Sequence, residues 1–226
     1  MAIKPAYHVS GFSQVRRPAI SHFCPLCCQP SSTFAGEDQY RPYFSCPCCR
    51  LIFVPATHFI SPCQEKAHYD QHENHCEDPG YRAFLNRLAK PLKERLRPNS
   101  SGLDFGSGPG PTLSLMLEEA GHEMSIYDPF FSDNPAVMHQ AYDFITATEV
   151  VEHLHHPGRE LDRLWRMIHP HGLLAIMTQS PPPDQPFLKW YYLRDPTHVC
   201  FFSSDTWDWL SRRWGAEIVH REKNVV

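Results

Sequence analysis

Leu103-Asp104-Phe105-Gly106-Ser107-Gly108-Pro109-Gly110 is the stretch on which the reading of the fold turns. It reads as the end of a buried strand, a glycine-rich turn and the start of a helix. Glycine has no Cβ, so such a turn lets a nucleotide-like ligand lie against bare backbone. A dinucleotide fingerprint, G-x-G-x-x-G, counted from Gly106 would need glycine at position 111, where Pro111 stands. The run is better written D-x-G-x-G-x-G, with an acidic residue ahead of the first glycine. The plain alternative is a glycine-rich loop between ordinary elements.

Working outward, Pro111-Thr112 opens a helix carrying Leu113, Leu115, Met116 and Leu117 that stops near Gly121. His122 to Asp128 reads as a second strand ending in a carboxylate. Asp128 lies 22 residues after Gly106, where a doubly wound sheet puts an acidic residue for ribose hydroxyls. Asp128 opening a turn with Pro129 is the other reading. Tyr142 to Thr148 and Leu173 to Thr178 are short apolar strands. Between them Leu161, Leu164, Trp165 and Ile168 recur at helical spacing, and His169-Pro170-His171-Gly172 makes a turn. The expected fold is therefore α/β: a Rossmann-like, doubly wound, mostly parallel sheet with ligands at its carboxyl edge. Only 14 residues separate Asp128 from Asp143, which leaves little room for a further strand and its helix.

At 226 residues the chain suits one full domain and a small appendage. The boundaries read as a tail over 1–20, a cysteine-rich module over 21–60, a helical linker over 61–98 and the α/β domain over 99–226. No apolar run approaches the ~20 residues of a membrane span. Met-Ala-Ile-Lys-Pro lacks a signal-peptide core, so a cytosolic setting is expected. Residues 1–62 hold five Lys/Arg against two Asp/Glu, and residues 101–226 hold nine against 17. The α/β part is acidic, which disfavours broad capture of nucleic-acid phosphates.

Nine cysteines in a cytosolic chain point to metal before disulfides. Cys24/Cys27 and Cys46/Cys49 are two C-x-x-C pairs separated by 18 residues, the pattern of a zinc ribbon. Cys28 and Cys48 offer alternative ligands, and a redox C-x-x-C is the competing reading. A closed four-cysteine site is structural, and a segment too small for its own core would use the metal to fold. In the linker, Phe84, Leu85, Leu88, Leu92 and Leu96 form one apolar stripe, and Pro91 should kink or interrupt it. His68, His72 and His75 just before it either cover a pocket or face solvent.

Glu149-Val150-Val151-Glu152-His153 follows a strand at the sheet's carboxyl edge. If these residues begin a helix, two carboxylates and an imidazole share one face, a mixed oxygen/nitrogen set fit for a divalent cation. His198 offers a fourth ligand. A metal-free pocket role and a packing role are the alternatives, with His155-His156 ending the helix.

The glycine run resembles motif I of the class I S-adenosylmethionine (SAM) methyltransferases, and residues 101 to about 220 look like a short member. The resemblance implies SAM as cofactor, bound by Asp104, Gly106, Ser107, Gly108, Gly110, Asp128, Thr148 and Glu149. The E-x-x-E-H run is similar to that of the ubiquinone-biosynthesis O-methyltransferases and the small-RNA 3′-end 2′-O-methyltransferases. There it and a later His bind magnesium or a related ion, which would make Glu149, Glu152, His153 and His198 the ligands. In members without the metal, Glu149 closes the cofactor pocket and His153 acts as base or holds a loop. His153 and His198 are the candidate bases, and Trp190 to Asp195 lies where the acceptor pocket is usually shaped. Cys24 to about Leu96 looks like the zinc-ribbon and helix extension of some bacterial members. The resemblance implies methyl transfer to a small-molecule acceptor, with O-methylation favoured by the metal site. Methylation of RNA or another macromolecule guided by the ribbon is a second reading, and a non-catalytic interaction protein a third. A dehydrogenase comes last because of Pro111.

Overall fold

Two sheets built from distant parts of the chain meet in a computed structural model that describes residues 22–71 and 75–226. The expected tail over 1–20, and His72, lie outside the described residues. The first sheet is antiparallel and contains β1 (Thr33–Glu37), β2 (Pro42–Ser45) and β3 (Ile52–Phe53). Two helices follow, α1 (Pro62–Tyr69) and α2 (Pro79–Lys93). Ser61 and Gln64 form a capping box at the start of α1, and Asp78 caps α2 through the Gly80 and Tyr81 N–H groups. Pro91 is carried in the last turn of α2, which ends two residues later. The helix runs on through it without a break.

The second sheet is parallel. It comprises β4 (Ser101–Phe105), β5 (Glu123–Tyr127), β6 (Tyr142–Thr148) and β7 (Ile168–Met177) in the order β5-β4-β6-β7. Helix α3 (Thr112–Glu118) joins β4 to β5, and α4 (Pro157–Arg166) joins β6 to β7. Between β5 and β6 the chain makes an Asp128–Ser132 bridge and a 3-10 turn at Pro135–His139, in keeping with the short spacing there. Alternation along the strands sorts the core into two layers. Phe144, Ala175 and Met177 pack with α2 and α3, while Ile145, Ala147 and Ile176 face α4. This is the Rossmann-like α/β arrangement.

The turn expected at His169–Gly172 lies inside β7. Pairing runs from Tyr142↔Ile168 straight to Phe144↔Leu173, so the residues between bulge out, with His171 at φ 68°. Pro170 has no N–H to give a ladder, and the exposed histidines have no reason to join one. After β7 come β8 (Cys200–Phe201) and α5 (Ser204–Trp214), and residues 224–226 pair antiparallel with the end of β7. No described helix is long and apolar enough to cross a membrane.

The cysteine-rich module and the α/β domain share one core. Strand β8 pairs antiparallel with β3, through Ile52↔Phe201 and Phe53↔Cys200, and so completes the first sheet. Cys24, Leu26, Tyr43 and Phe53 belong to the same buried cluster as Leu103, Ile145 and Leu161. The Gly158 N–H donates to the Pro25 carbonyl, and a Cβ on Gly158 would lie 2.2 Å from the Leu26 carbonyl oxygen. Gly158→Ala is therefore expected to push backbone from backbone and to cost roughly 1–3 kcal/mol, the range of overpacking in a filled core. Denaturant titration checks it; an unchanged midpoint would mean that the two parts slide freely.

Candidate functional site

At the carboxyl end of β4 the chain turns through Gly106 and Gly108, both in the left-handed region at φ 77° and 64°. At Gly106 a side chain is excluded twice, because its Cβ would also sit 2.4 Å from Val150 Cγ2. The turn is tied to β5: Gly106 N–H and Ser107 N–H both donate to the Tyr127 carbonyl, at 2.8 and 3.2 Å. Gly108 N–H donates to Asp128 Oδ2 at 3.0 Å, while Asp128 Oδ1 accepts from the Phe130 and Phe131 N–H groups. Asp128 thus shapes its own turn and anchors the glycine turn. Gly110 closes the run, its carbonyl accepting from Thr112 N–H at 2.7 Å.

Asp104 is buried beneath this turn. Its carboxylate accepts from Thr146 Oγ1 at 2.7 Å and Ser114 Oγ at 3.3 Å, linking β4 to β6 and α3. Burial pushes its pKa up to about 6, against those two hydrogen bonds. Among the described residues, the buried Ser107 Oγ, Thr148 Oγ1 and Glu149 Oε1 have no protein partner. All three stand at the carboxyl ends of adjacent strands. Buried polar atoms are nearly always paired, so orphans gathered at a sheet edge fit a polar ligand there.

The Glu149–His153 run does not begin an α-helix. Glu149 takes φ 52°, and only Val151–His153 form a 3-10 turn. A left-handed non-glycine residue is strained backbone of the kind that collects at functional sites. Tyr192 Oη lies between the two glutamates, donating toward Glu149 Oε2 at 3.1 Å and, in a shorter contact, to Glu152 Oε1. Burial, and then the charge of Glu149, push Glu152 up to about 8; burial likewise raises Glu149. Glu152, His153 and His198 present ligand atoms within 4.8 Å of one another. Glu149 is not in that trio and joins it through Tyr192.

His198 is oriented by its backbone. Its Nδ1 lies 2.8 Å from the Tyr192 carbonyl, which can only accept, so Nδ1 carries the proton and Nε2 keeps its lone pair. Its ring packs 4.7 Å from that of His153 and 3.9 Å from that of Tyr192. Burial lowers its pKa, which favours the neutral base. Asp195 Oδ2 lies 3.7 Å from His198 Nε2 and 3.0 Å from His68 Nε2. His68 therefore does reach the site. His155 pairs with Glu65 at 3.1 Å and stacks on Phe59, and His156 precedes α4 as its cap residue. Tyr191 is exposed, and Trp190 is buried against Tyr192. Sequence reasoning placed Tyr192 only in a pocket-shaping stretch. Its bridging of two carboxylates has no signature in spacing.

The four cysteines Cys24, Cys27, Cys46 and Cys49 converge, with all Sγ atoms within 4.8 Å. Cys24 and Cys49 are 3.5 Å apart and Cys27 and Cys46 3.4 Å, against about 3.8 Å between ligands of a tetrahedral thiolate zinc site. The two knuckles share one backbone form. Cys28 N–H donates to the Cys24 carbonyl and Arg50 N–H to the Cys46 carbonyl, and both donors are left-handed. The hydrogen bond from Cys49 holds Cys24 down to about 6, whereas burial pushes Cys27 up to about 12. Cys28 and Cys48 are exposed and stand outside the cluster.

Residues 69–221 match the family model described as a methyltransferase domain. No curated protein sequence matches the chain. An O-methyltransferase family protein from Burkholderia thailandensis is similar over 64% of this chain and 53% of its own, at 15% identity and a TM-score of 0.50. The chain thus spans about half of that protein's length, and the likeness is one of fold. The YcgJ protein of Bacillus subtilis aligns over 59% of this chain and 68% of its own, at 18% identity and a TM-score of 0.42. Coclaurine N-methyltransferase, solved with N-methylheliamine and SAH, aligns over 62% and 50%, at 16% identity and a TM-score of 0.38. The family match takes in the glycine turn, the Glu149–His153 run and His198 and leaves out all four clustered cysteines, and by it the chain belongs to the methyltransferase-domain family.

Proposed function

We propose that the chain binds SAM at the glycine turn and directs its methyl group to a hydroxyl of a small-molecule acceptor held beside His153, His198 and Tyr192. SAM-dependent methyl transfer is the activity that the family match supports. The observation that carries the cofactor's place is the Gly106–Gly108 turn, pinned by Asp128 and ringed by the orphaned Ser107, Thr148 and Glu149 atoms. These residues, with Asp104 and Gly110, fit a ligand bearing hydroxyls and an ammonium group. When bound, SAM supplies a methyl group already activated by its sulfonium.

What remains for the protein is alignment and a proton. His198 Nε2, its lone pair free while Nδ1 is held by Tyr192, takes the proton from the acceptor hydroxyl. If Glu152, His153 and His198 instead hold a divalent cation such as magnesium, the cation would lower the hydroxyl's pKa and the Nε2 lone pair of His198 would be spent on it rather than on the proton. Glu149 would then stay on the cofactor side. The four clustered cysteines would hold a structural zinc, kept available as thiols in a cytosolic setting.

Calorimetric titration with SAM tests this reading directly. Saturable binding supports it, and no binding by folded protein sinks it. The pH dependence sharpens the test. Asp104 and Glu149 both ionise above the ordinary carboxylate range, and the ionised forms attract a cationic ligand. Affinity is therefore expected to rise about tenfold from pH 5 to pH 7, one pKa unit being worth about 1.4 kcal/mol. Binding near pH 6 should also release protons, seen as a heat that varies with buffer. A flat profile would remove these carboxylates from the cofactor's surroundings.

A further inference from the structure

Arg41 belongs to the cysteine-rich module, in the turn between β1 and β2, yet its guanidinium lies buried against the far end of the chain, with 6% of the residue exposed. Nη1 donates to the Pro196 carbonyl at 2.9 Å; Nη2 donates to the Asp195 carbonyl at 2.8 Å and the Leu193 carbonyl at 3.1 Å. Nε donates to Tyr43 Oη at 3.1 Å, and that hydroxyl donates to Asp38 Oδ2 at 2.7 Å. Asp38 in turn accepts from the Arg41 backbone N–H at 2.8 Å. The fork is thus held at its root and spent on three main-chain acceptors of one turn. That turn begins at Tyr192, whose hydroxyl joins the two glutamates, and ends at His198, whose Nδ1 returns to the Tyr192 carbonyl.

A second connection runs alongside. The Val54 N–H donates to the Val199 carbonyl at 2.9 Å, and the Val199 N–H donates to the Glu152 carbonyl at 2.8 Å. The module therefore grips the segment next to His198 from both ends.

We propose that Arg41 is a positioning residue for the acceptor side of the site: by gathering the 193–196 carbonyls it fixes Tyr192 and the orientation and tautomer of His198. The idea rests on the reading of His198 and Tyr192 as acceptor-side groups. Planar guanidinium chemistry is what the arrangement needs, because three carbonyls must be met by donors fixed in one plane. A lysine ammonium, one point charge, keeps the charge but not the fork. The cysteine-rich module then acts on the chemistry through the 193–196 turn, while the Gly106–Gly108 turn is held by Tyr127 and Asp128 rather than by the module.

The test uses the full chain, with two-bond 1H–15N correlation of the His198 ring, amide exchange over residues 193–198, bound zinc and SAM titration. Arg41→Met is expected to keep its zinc, and SAM affinity should fall no more than about threefold, because Tyr192 touches the cofactor side only through Glu149. The same variant should replace the single Nδ1–H form of His198 by a tautomer mixture and speed amide exchange of the turn by about tenfold or more. Arg41→Lys should give the same mixture, and a wild-type signature there would overturn the argument from geometry. Retention of the single tautomer in Arg41→Met, with only a lower Tm, would show a merely structural arginine and overturn the proposal. If Arg41→Met does not fold, Arg41→Lys carries the test, because it keeps the charge and loses the fork that meets the three carbonyls. Arg41→Gln, which removes the fork with a shorter polar side chain, is the second variant, and an unchanged ring signature in whichever of the two folds overturns the proposal. Failure of wild-type protein to bind SAM would sink the methyl-transfer reading, while the Arg41–His198 coupling would still stand or fall on the ring signal.

Discussion

Cys46→Ser is expected to unfold the whole chain in one transition rather than release a loose module. Cys46 is fully buried, and its thiol faces Cys27 at 3.4 Å. A serine there leaves three sulfurs and a weak oxygen ligand around the proposed zinc. Structural zinc contributes about 10–16 kcal/mol in isolated finger peptides, so losing tight binding removes several kcal/mol. In a freely hinged appendage that loss would stay local. Here β8 belongs to the module's sheet, and one apolar cluster runs from Cys24 to Leu164. Loss of the knuckles opens the buried cluster that they share with α4 and β8. At about 2–4 °C per kcal/mol for a chain of this size, a deficit near 5 kcal/mol lowers Tm by at least ~10 °C. Calorimetry and zinc analysis check both halves of the statement, and chelation of the wild-type protein should reproduce the shift. Cys48→Ser, at an exposed thiol outside the cluster, should stay within about 0.5 kcal/mol of wild type. Two separate melting transitions, with the upper one unmoved by Cys46→Ser, would refute the shared core.

This shared core is also where reading the sequence stops. The two C-x-x-C knuckles are legible because ligand spacing is a property of one tight turn. The glycine run is legible for the same reason, since a left-handed φ at 106 and 108 demands glycine locally. That the second sheet is parallel follows from alternation of apolar runs with helices. None of these signals reports which residue lies against another 150 positions away. Arg41 shows no periodicity and fits no motif, and its three carbonyl partners are main-chain groups that any residues would supply. Pairing of β3 with β8 rests on two residues each, too short for a pattern to declare. The Glu149–His153 run shows a subtler limit. Spacing of three and four residues suits an α-helix, but the strained Glu149 and the 3-10 turn after it separate the first glutamate from the second. His198 reaches Glu152 and His153 through the backbone of its own turn, which spacing does not encode.

Asp104→Asn is expected to stabilise the protein and weaken its hold on SAM. Asp104 is 4% exposed, and burial raises its pKa from the ordinary aspartate value of 3.8 to about 6. An acid whose folded pKa is raised contributes its full stability below the unfolded pKa and loses it as pH climbs through the folded one. The wild-type protein therefore gives up stability between about pH 4 and pH 6, and above that it carries a buried charge at a cost of about 3 kcal/mol. Asparagine is nearly isosteric and never ionises. Its oxygen can accept from Thr146 Oγ1 as the carboxylate does, and its amide can donate to Ser114 Oγ. The variant should match wild type near pH 4, pull ahead through pH 6 and hold a Tm advantage of several degrees at pH 7–8, at about 2–4 °C per kcal/mol. Equal Tm values at pH 7.5 would mean that the carboxylate is already solvated or paired. The complementary loss is in binding: a negative charge beneath the glycine turn favours a ligand carrying a sulfonium and an ammonium, and the amide offers none. A gain in stability joined to a loss of SAM affinity identifies a group kept ionised for function at the expense of the fold. Stability gained with affinity unchanged would assign Asp104 to the scaffold alone.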